Sequence, residues 1–231
     1  MALRVANWNV FHGTINNVTP QTRMTNFAAY CWALAPQADI IAFQEVPAAA
    51  ITNMAAVVNG TGYQFLTIGS EYPPSPPPPA STTSDGYAVL YNPARVAPTG
   101  ALAFFQRQNF QVGVSQGRPP VVTTFNRTGN PAASVRFADW HNETGVWAQS
   151  GITGLHNSFI QLGGYSVIAG DFNVQASALQ NPVFPNWDSV YNSVDFILSN
   201  RTTTAVAPPN IGTFLSDVHY AIIADVNVPG F

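Results

Sequence analysis

The sequence predicts an α+β fold, a four-layer α/β/β/α sandwich of two packed mixed sheets with outer helices. Three observations lead there. The chain has 231 residues and is 46% hydrophobic, which is ample for one sizeable core and fits a single domain over residues 1–231. Apolar runs of strand length far outnumber helical stripes, so strands must stack on strands and the few helices must lie outside. The runs 40–43 and 167–169 have no polar face and read as strands buried on both sides.

In order along the chain, Leu3 to Val10 alternates, with Val5, Asn7 and Asn9 on one face and Ala6, Trp8 and Val10 on the other. Thr19-Pro20 supplies an N-cap and a proline at the first helical position. Met24, Phe27, Cys31 and Leu34 form the helical stripe that follows, and Pro36 stops it. Residues 39–45 are a second buried strand ending in Glu45, 48–58 a helix, and 63–68 a short strand. Residues 72–80 read Tyr-Pro-Pro-Ser-Pro-Pro-Pro-Pro-Ala, an extended polyproline segment and the centre of a surface loop at 70–84. Strand pattern resumes at 85–91 and again near 95–105, 107–113, 119–126 and 132–140. A helix is expected at 144–162, with Ile152, Leu155, Phe159 and Leu162 on one face. The run Val167 to Gly170 then ends in Asp171-Phe172-Asn173, and Gly170 lets the backbone turn there. A Pro-rich loop covers 181–189, and strands at 193–199 and 214–228 complete the chain.

Charged residues are only 8%, the net charge is −3, and all eight basic residues are Arg. No long-range attraction for nucleic acid follows from that balance. A nucleic-acid partner would need a local arginine cluster, for which Arg95, Arg107, Arg118, Arg127 and Arg136 are the candidates. The missing Lys has two readings, a GC-rich genome or a chain that avoids ubiquitin tagging in a eukaryotic cytosol. The single cysteine, Cys31, excludes an internal disulfide and reads as a core thiol. No apolar run reaches the roughly 20 residues of a membrane span. The first residues read as a strand, so either the protein is cytoplasmic or a leader preceded them.

Polar groups collect at the ends of the strand runs: Asn9, Glu45, Asp85, His141, Asp171, Asn173, Asp195 and His219. Each alone is an ordinary turn residue or hydrogen bonder. Four carboxylates so placed, in a chain with 11 acidic residues, point to a shared site. His12 and His156 lack such a setting and are expected to be structural. Asn142 heads an Asn-Glu-Thr sequon beside His141 and is expected to carry no glycan.

These residues resemble the endonuclease/exonuclease/phosphatase superfamily over nearly the whole chain. Asn7-Trp8-Asn9-Val10 is similar to its opening strand, Ile41 to Glu45 to its Gln-Glu metal motif, and Gly170-Asp171-Phe172-Asn173 to its most specific motif. Val194 to Leu198 resembles its Asp-x-Ile strand, and Ser216 to Tyr220 its closing Ser-Asp-His motif. One residue is inserted there: Val218 separates Asp217 from His219. In a regular strand the two side chains would then share a face, unless a β-bulge absorbs the insertion. Arg118-Pro119-Pro120 resembles an Arg-led strand that touches phosphate in the family's nucleases.

The resemblance implies a Mg²⁺- or Mn²⁺-dependent phosphodiesterase. Glu45, Asn9 and Asp217 would hold the metal, and Asp171 would orient or deprotonate water. Asn173 would donate to a phosphoryl oxygen. His141 paired with Asp85, and His219 paired with Asp195, would flank the phosphate, with Arg118 and Asn9 gripping the substrate. The Arg-Pro strand, the small size and the missing Lys are most similar to the nuclease subunit of cytolethal distending toxins. That implies DNA as substrate, a delivery subunit as partner, and secretion from a bacterium to act in a host cell. The alternatives are a phosphoinositide or sphingolipid phosphoesterase of the same fold and a catalytically weak binding module.

Overall fold

The computed structural model describes residues 2–10, 20–73, 85–105, 111–112, 115–116, 118–145, 148–160, 163–179, 184, 186–209 and 219–231. The elements in chain order are β1 (Leu3–Asn9), α1 (Pro20–Leu34), a 3-10 turn (Ala35–Gln37), β2 (Ile40–Val46), α2 (Ala48–Thr52) and α3 (Met54–Val57). Then come β3 (Gln64–Ile68), β4 (Gly86–Tyr91), β5 (Val96–Pro98), β6 (Ala103–Phe104), β7 (Gln111–Val112), β8 (Ser115–Gln116), β9 (Val121–Arg127) and β10 (Asn130–His141). The chain closes with α4 (Ala148–Ile160), β11 (Ser166–Asp171), α5 (Ala176–Leu179), β12 (Asp188–Asn192), β13 (Asp195–Ser199), β14 (Thr203–Val206) and β15 (Ile222–Val226).

Two sheets stack face to face. One has the order β14-β15-β1-β2-β4-β3, the other β12-β13-β11-β10-β9-β5, with β6 alongside β9. Both are mixed, because β1 runs parallel to β2 and β10 parallel to β11 while their neighbours are antiparallel. The alternation in β1 sorts its side chains. Leu3 and Val5 face Phe125, Phe137 and Val167 of the other sheet, whereas Ala6 and Trp8 face α1. Phe27, Cys31 and Leu34 of α1 close the outer side of the first sheet. Ile152, Leu155 and Phe159 of α4 close the outer side of the second. Each such apolar side chain contributes about 1.5–3 kcal/mol on burial, so the four-layer order follows from the stripes. Cys31 is buried, as a core thiol should be.

The structure differs from the expectations in several places. The helix foreseen over 48–58 breaks at Asn53 into α2 and α3. The segment at 188–192, whose first two residues fall in the expected loop and whose other three carry no expected element, is the edge strand β12. A further strand, β14, lies at 203–206; of the last strand expected at 214–228, residues 219–221 are irregular, 222–226 form β15, and 214–218 lie outside the described residues. Gly170 is needed for closeness rather than for turning: a Cβ on it would meet the Trp140 carbonyl oxygen at 1.9 Å. The polyproline segment from 74 to 84, the insertion at Val218 and the expected metal ligand Asp217 lie outside the described residues.

Candidate active site

Both parallel strand pairs deliver their carboxyl ends to one rim of the sandwich, where crevices open in sheets of this kind. Asn9 ends β1, Glu45 stands near the end of β2, His141 ends β10 and Asp171 ends β11. Register sets them side by side: His141 is opposite Asp171, and Asp171 is opposite Asp195. Asn9, Glu45, His141, Asp171, Asp195 and His219 are all buried.

Asn9 sits between the two sheets' carboxylates. Its Nδ2 donates to Glu45 Oε1 at 3.0 Å and to Asp171 Oδ2 at 2.9 Å. The backbone of Glu45 is left-handed, with φ of 54°, and the β2–β4 register shifts between Phe43 and Val46. That bulge re-aims the carboxylate into the crevice. Asp171 Oδ1 accepts from the Asn173 backbone N–H at 2.9 Å. Asn173 is also left-handed, with φ of 51°, and one of its two Nδ2 hydrogens goes to the Asn142 carbonyl at 2.9 Å.

Two imidazoles face Asp171 from opposite sides, His141 Nε2 at 3.7 Å and His219 Nε2 at 3.8 Å from Oδ2. His219 Nδ1 is 3.0 Å from Asp195 Oδ2. Burial opposes charge on His219, but Asp195 outweighs it and holds the pKa above the ordinary histidine value. Burial, joined by the charge on Asp171, pushes Asp195 up to about 6.

The carboxylate on His141 is not Asp85. Glu71 Oε1 lies 2.8 Å from His141 Nδ1 and also accepts the Glu45 backbone N–H at 3.1 Å. Asp85 is buried just before β4, while the tyrosine two residues on, Tyr87, accepts the His141 backbone N–H through its hydroxyl at 3.1 Å. The segment between β3 and the polyproline run thus reaches a histidine 70 residues away. Its next residue, Tyr72, accepts from Arg118 Nε at 3.0 Å and lies under the guanidinium at 5.2 Å. Glu143 completes the group, 3.3 Å from the Tyr72 hydroxyl and 4.0 Å from Arg118. None of Glu71, Tyr72 and Glu143 stood out in the sequence. The available signal was a Glu-Tyr pair immediately before the prolines in a chain poor in acids.

Arg118 Nη1 is 2.8 Å from His141 Nε2. A guanidinium only donates, so this contact describes a ring with a bare Nε2 and its proton on Nδ1, toward Glu71. Burial opposes charge on that ring, yet Glu71 and Asp171 raise its pKa. The contact and the field therefore favour opposite protonation states.

The oxygens of Glu45 and Asp171 converge on one amide NH₂, where a hard cation would find its preferred ligands. The carboxylates of Glu45, Glu71, Asp171 and Asp195 gather in the crevice, where Arg118 is the one guanidinium among the described side chains, and that imbalance suits a divalent cation. Asp171, Asp195 and His219 also have ligand atoms within 4.8 Å of one another, but Asp195 and His219 are already hydrogen-bonded to each other. Asn142 is buried, and its amide holds the carbonyls of Ala148 and Phe172. A Cβ on Gly151 of α4 would sit 2.1 Å from its Oδ1, so a glycan has no room there.

The sequence matches the endonuclease/exonuclease/phosphatase family model over residues 6–217. No curated protein matches the sequence significantly. Among solved structures, a family protein from Bacteroides vulgatus superposes with a TM-score of 0.69 at 14% identity, covering 99% of both chains. Humanized D. rerio TDP2 gives 0.68 at 14% identity, with 97% of this chain and 98% of that one covered. The Bacteroides thetaiotaomicron mannosyl-6-phosphatase gives 0.66 at 12% identity, with 97% and 99% covered. D. rerio TDP2 has also been solved with a single-strand DNA product, at a TM-score of 0.66 and 12% identity, with 97% and 98% covered.

Proposed function

Because the chain belongs to the endonuclease/exonuclease/phosphatase family, we propose that it hydrolyses phosphodiester bonds in this crevice with the help of a divalent cation. One observation carries the reading. Two imidazoles approach Asp171 Oδ2 from opposite sides, each with its far nitrogen held by a separate carboxylate. That arrangement can take a proton on one side of a phosphorus atom and give one on the other.

Mg²⁺ or Mn²⁺, when bound, polarises the phosphoryl group and neutralises the charge that develops on it. Glu45 and Asn9 would hold it, with the Asn9 amide turned to present its oxygen. Asp171 orients the attacking water and accepts its proton. Asp195 fixes the His219 tautomer so that Nε2 faces the reacting group, and Glu71 does the same for His141. Arg118 leaves His141 for a phosphate oxygen, as a planar donor fork should. Once Nε2 is released, the carboxylate field favours its protonation, and His141 can donate to the leaving oxygen.

DNA is the substrate that the sequence resemblance favours, in the manner of a genotoxin nuclease with a delivery subunit. The placement of the arginines favours a second reading, a compact phosphoester such as a lipid or sugar headgroup. Among the described side chains Arg118 is the one cation at the crevice. Arg4 and Arg95 are paired with Asp225 and Asp39 at the other end of the sheets. Plasmid nicking and release of phosphate or alcohol from a small diester, each with Mg²⁺ and with EDTA, separate the two. Asp171→Ala and His141→Ala should abolish turnover in either assay. Near-native rates in either variant would refute the assignment of the site.

A further inference from the structure

Directly beneath the crevice lies a second layer of polar groups that the proposed chemistry does not use. Asn7 precedes Asn9 by two residues, Gln44 precedes Glu45, Asp139 precedes His141 by two, and Gly170 precedes Asp171. Gln44 Nε2 donates to Asn7 Oδ1 at 2.9 Å and to Asp139 Oδ1 at 2.5 Å, and Asn7 Nδ2 donates to the Gly170 carbonyl at 3.1 Å. These bonds join β1 and β2 of one sheet to β10 and β11 of the other. Asn7, Gln44 and Asp139 are each 0% exposed.

Two oxygens in this layer have no hydrogen-bond partner: Gln44 Oε1 and Asp139 Oδ2. They belong to the two side chains that already share the Nε2–Oδ1 bond. We propose that Asp139 is a neutral carboxylic acid in a cyclic, two-bond pair with Gln44, and that this pair fixes the sheet-to-sheet spacing beneath the crevice. A primary amide and a carboxylic acid are planar and complementary. The amide N–H meets the acid's carbonyl oxygen, and the acid's O–H meets the amide oxygen. One proton on Oδ2 therefore satisfies both leftover atoms, which burial would otherwise make costly.

The surroundings agree. Burial raises the pKa of Asp139 well above the ordinary value, and the charge on Glu71 adds to it. The bond from Gln44 and the backbone amides of Phe43 and Trp140 pull the other way without prevailing. The Tyr87 phenol, on β4, faces the same acid and is itself raised by burial. Gln44 is next to Glu45 and Asp139 stands two residues before His141, one from each sheet. Their pairing therefore sets how far apart those two groups stand, and Asp139 is a positioning residue.

The test uses the full chain. With carbon-13 in its aspartate carboxyls, wild type at pH 7–8 should show a resonance at the protonated position that is missing from Asp139→Asn. Asparagine can replace the O–H with an N–H in the same ring. That variant should therefore fold, keep its urea midpoint, and keep the Mg²⁺ concentration for half-maximal rate within about twofold. Asp139→Leu should raise that concentration about tenfold, a change that lost packing alone would not direct to the metal. Should Asp139→Leu fail to fold, the spectrum and the asparagine variant still decide. All carboxyls ionised at pH 7, or a collapse of Asp139→Asn, would overturn the proposal. The spectrum needs no turnover, so an inactive enzyme would sink the phosphodiesterase reading and leave this one standing.

Discussion

Three non-glycine residues among those described have a left-handed backbone, and two of them, Glu45 and Asn173, line the crevice. Such a conformation costs on the order of 1–3 kcal/mol and persists only where the surroundings impose it. At Glu45 the imposing partner is Glu71, which accepts the backbone N–H. Glycine accepts this conformation without strain. Glu45→Gly should therefore abolish the metal-dependent rate without lowering stability, and the unfolding free energy from urea titration should hold or rise by up to about 1 kcal/mol. The same glutamate decides the histidine pairing. Glu71→Gln should lower kcat by about 10²–10³-fold, the range for a disturbed acid–base group, while Asp85→Asn should stay within about tenfold. Equal losses in the two variants would return the role to Asp85. The family resemblance placed Asp85 there, at the head of a strand. Glu71 was hidden because it lies in irregular chain, and only the return of β3 onto β4 brings it to His141. The buried groups also fix a sign. His141 and His219 have raised pKa values, and Asp195 is raised to about 6. All three bind protons more readily folded than unfolded. Their contribution is full at low pH and lost as pH rises, through about 4–6 for Asp195 and through neutrality for the imidazoles. Metal-free protein should thus lose stability between pH 5 and 8 in urea titrations, and Glu71→Gln should flatten the neutral part of that slope.

At the scale of elements, what was legible was whatever carries an apolar run or stripe long enough to fill a face. The strands β1, β2, β4, β10, β11 and β13 and the helices α1 and α4 each bury such a face. The strands β12 and β14 were missed because they are short edge strands, rich in Asp, Ser, Asn and Thr, and largely exposed or half-buried. Their pairing comes from β13 and β15 rather than from their own composition. Gly170 shows the reverse case, a residue correctly singled out for the wrong reason. The parallel pairing of β10 with β11 sets it against the Trp140 carbonyl. A methyl group there would clash with backbone, which cannot rotate away as a side chain can. Gly170→Ala should cost at least the 1–3 kcal/mol typical of overpacking, and by moving Asp171 it should also lower kcat. Wild-type stability with lost activity alone would show that β11 can shift without disturbing the sheet.

For the whole molecule the question is where the positive charge went. The sequence offered five arginines for a groove, but a strand separates most of them from the crevice. Arg136 lies five residues back from His141 along β10, about 17 Å at strand rise, and donates to the Gly163 carbonyl. Arg127 ends β9 away from the rim and donates to the Gly230 carbonyl. Arg95 holds Asp39 before β2 begins, and Arg107 lies outside the described residues. Arg118 remains, with Glu71 and Glu143 close by. One phosphate contact on a nucleic acid gives a salt slope of about −0.7 to −0.9. Raising salt from 50 to 200 mM should then lower kcat/KM on an oligonucleotide only about 2.5- to 3.5-fold, and lengthening the oligonucleotide should add little. A compact diester should respond still less. If the rate instead falls a hundredfold or more and grows with DNA length, several phosphates are being held at once. The compact-substrate reading would then yield to the nuclease one, with the extra contacts sought among residues 106–110.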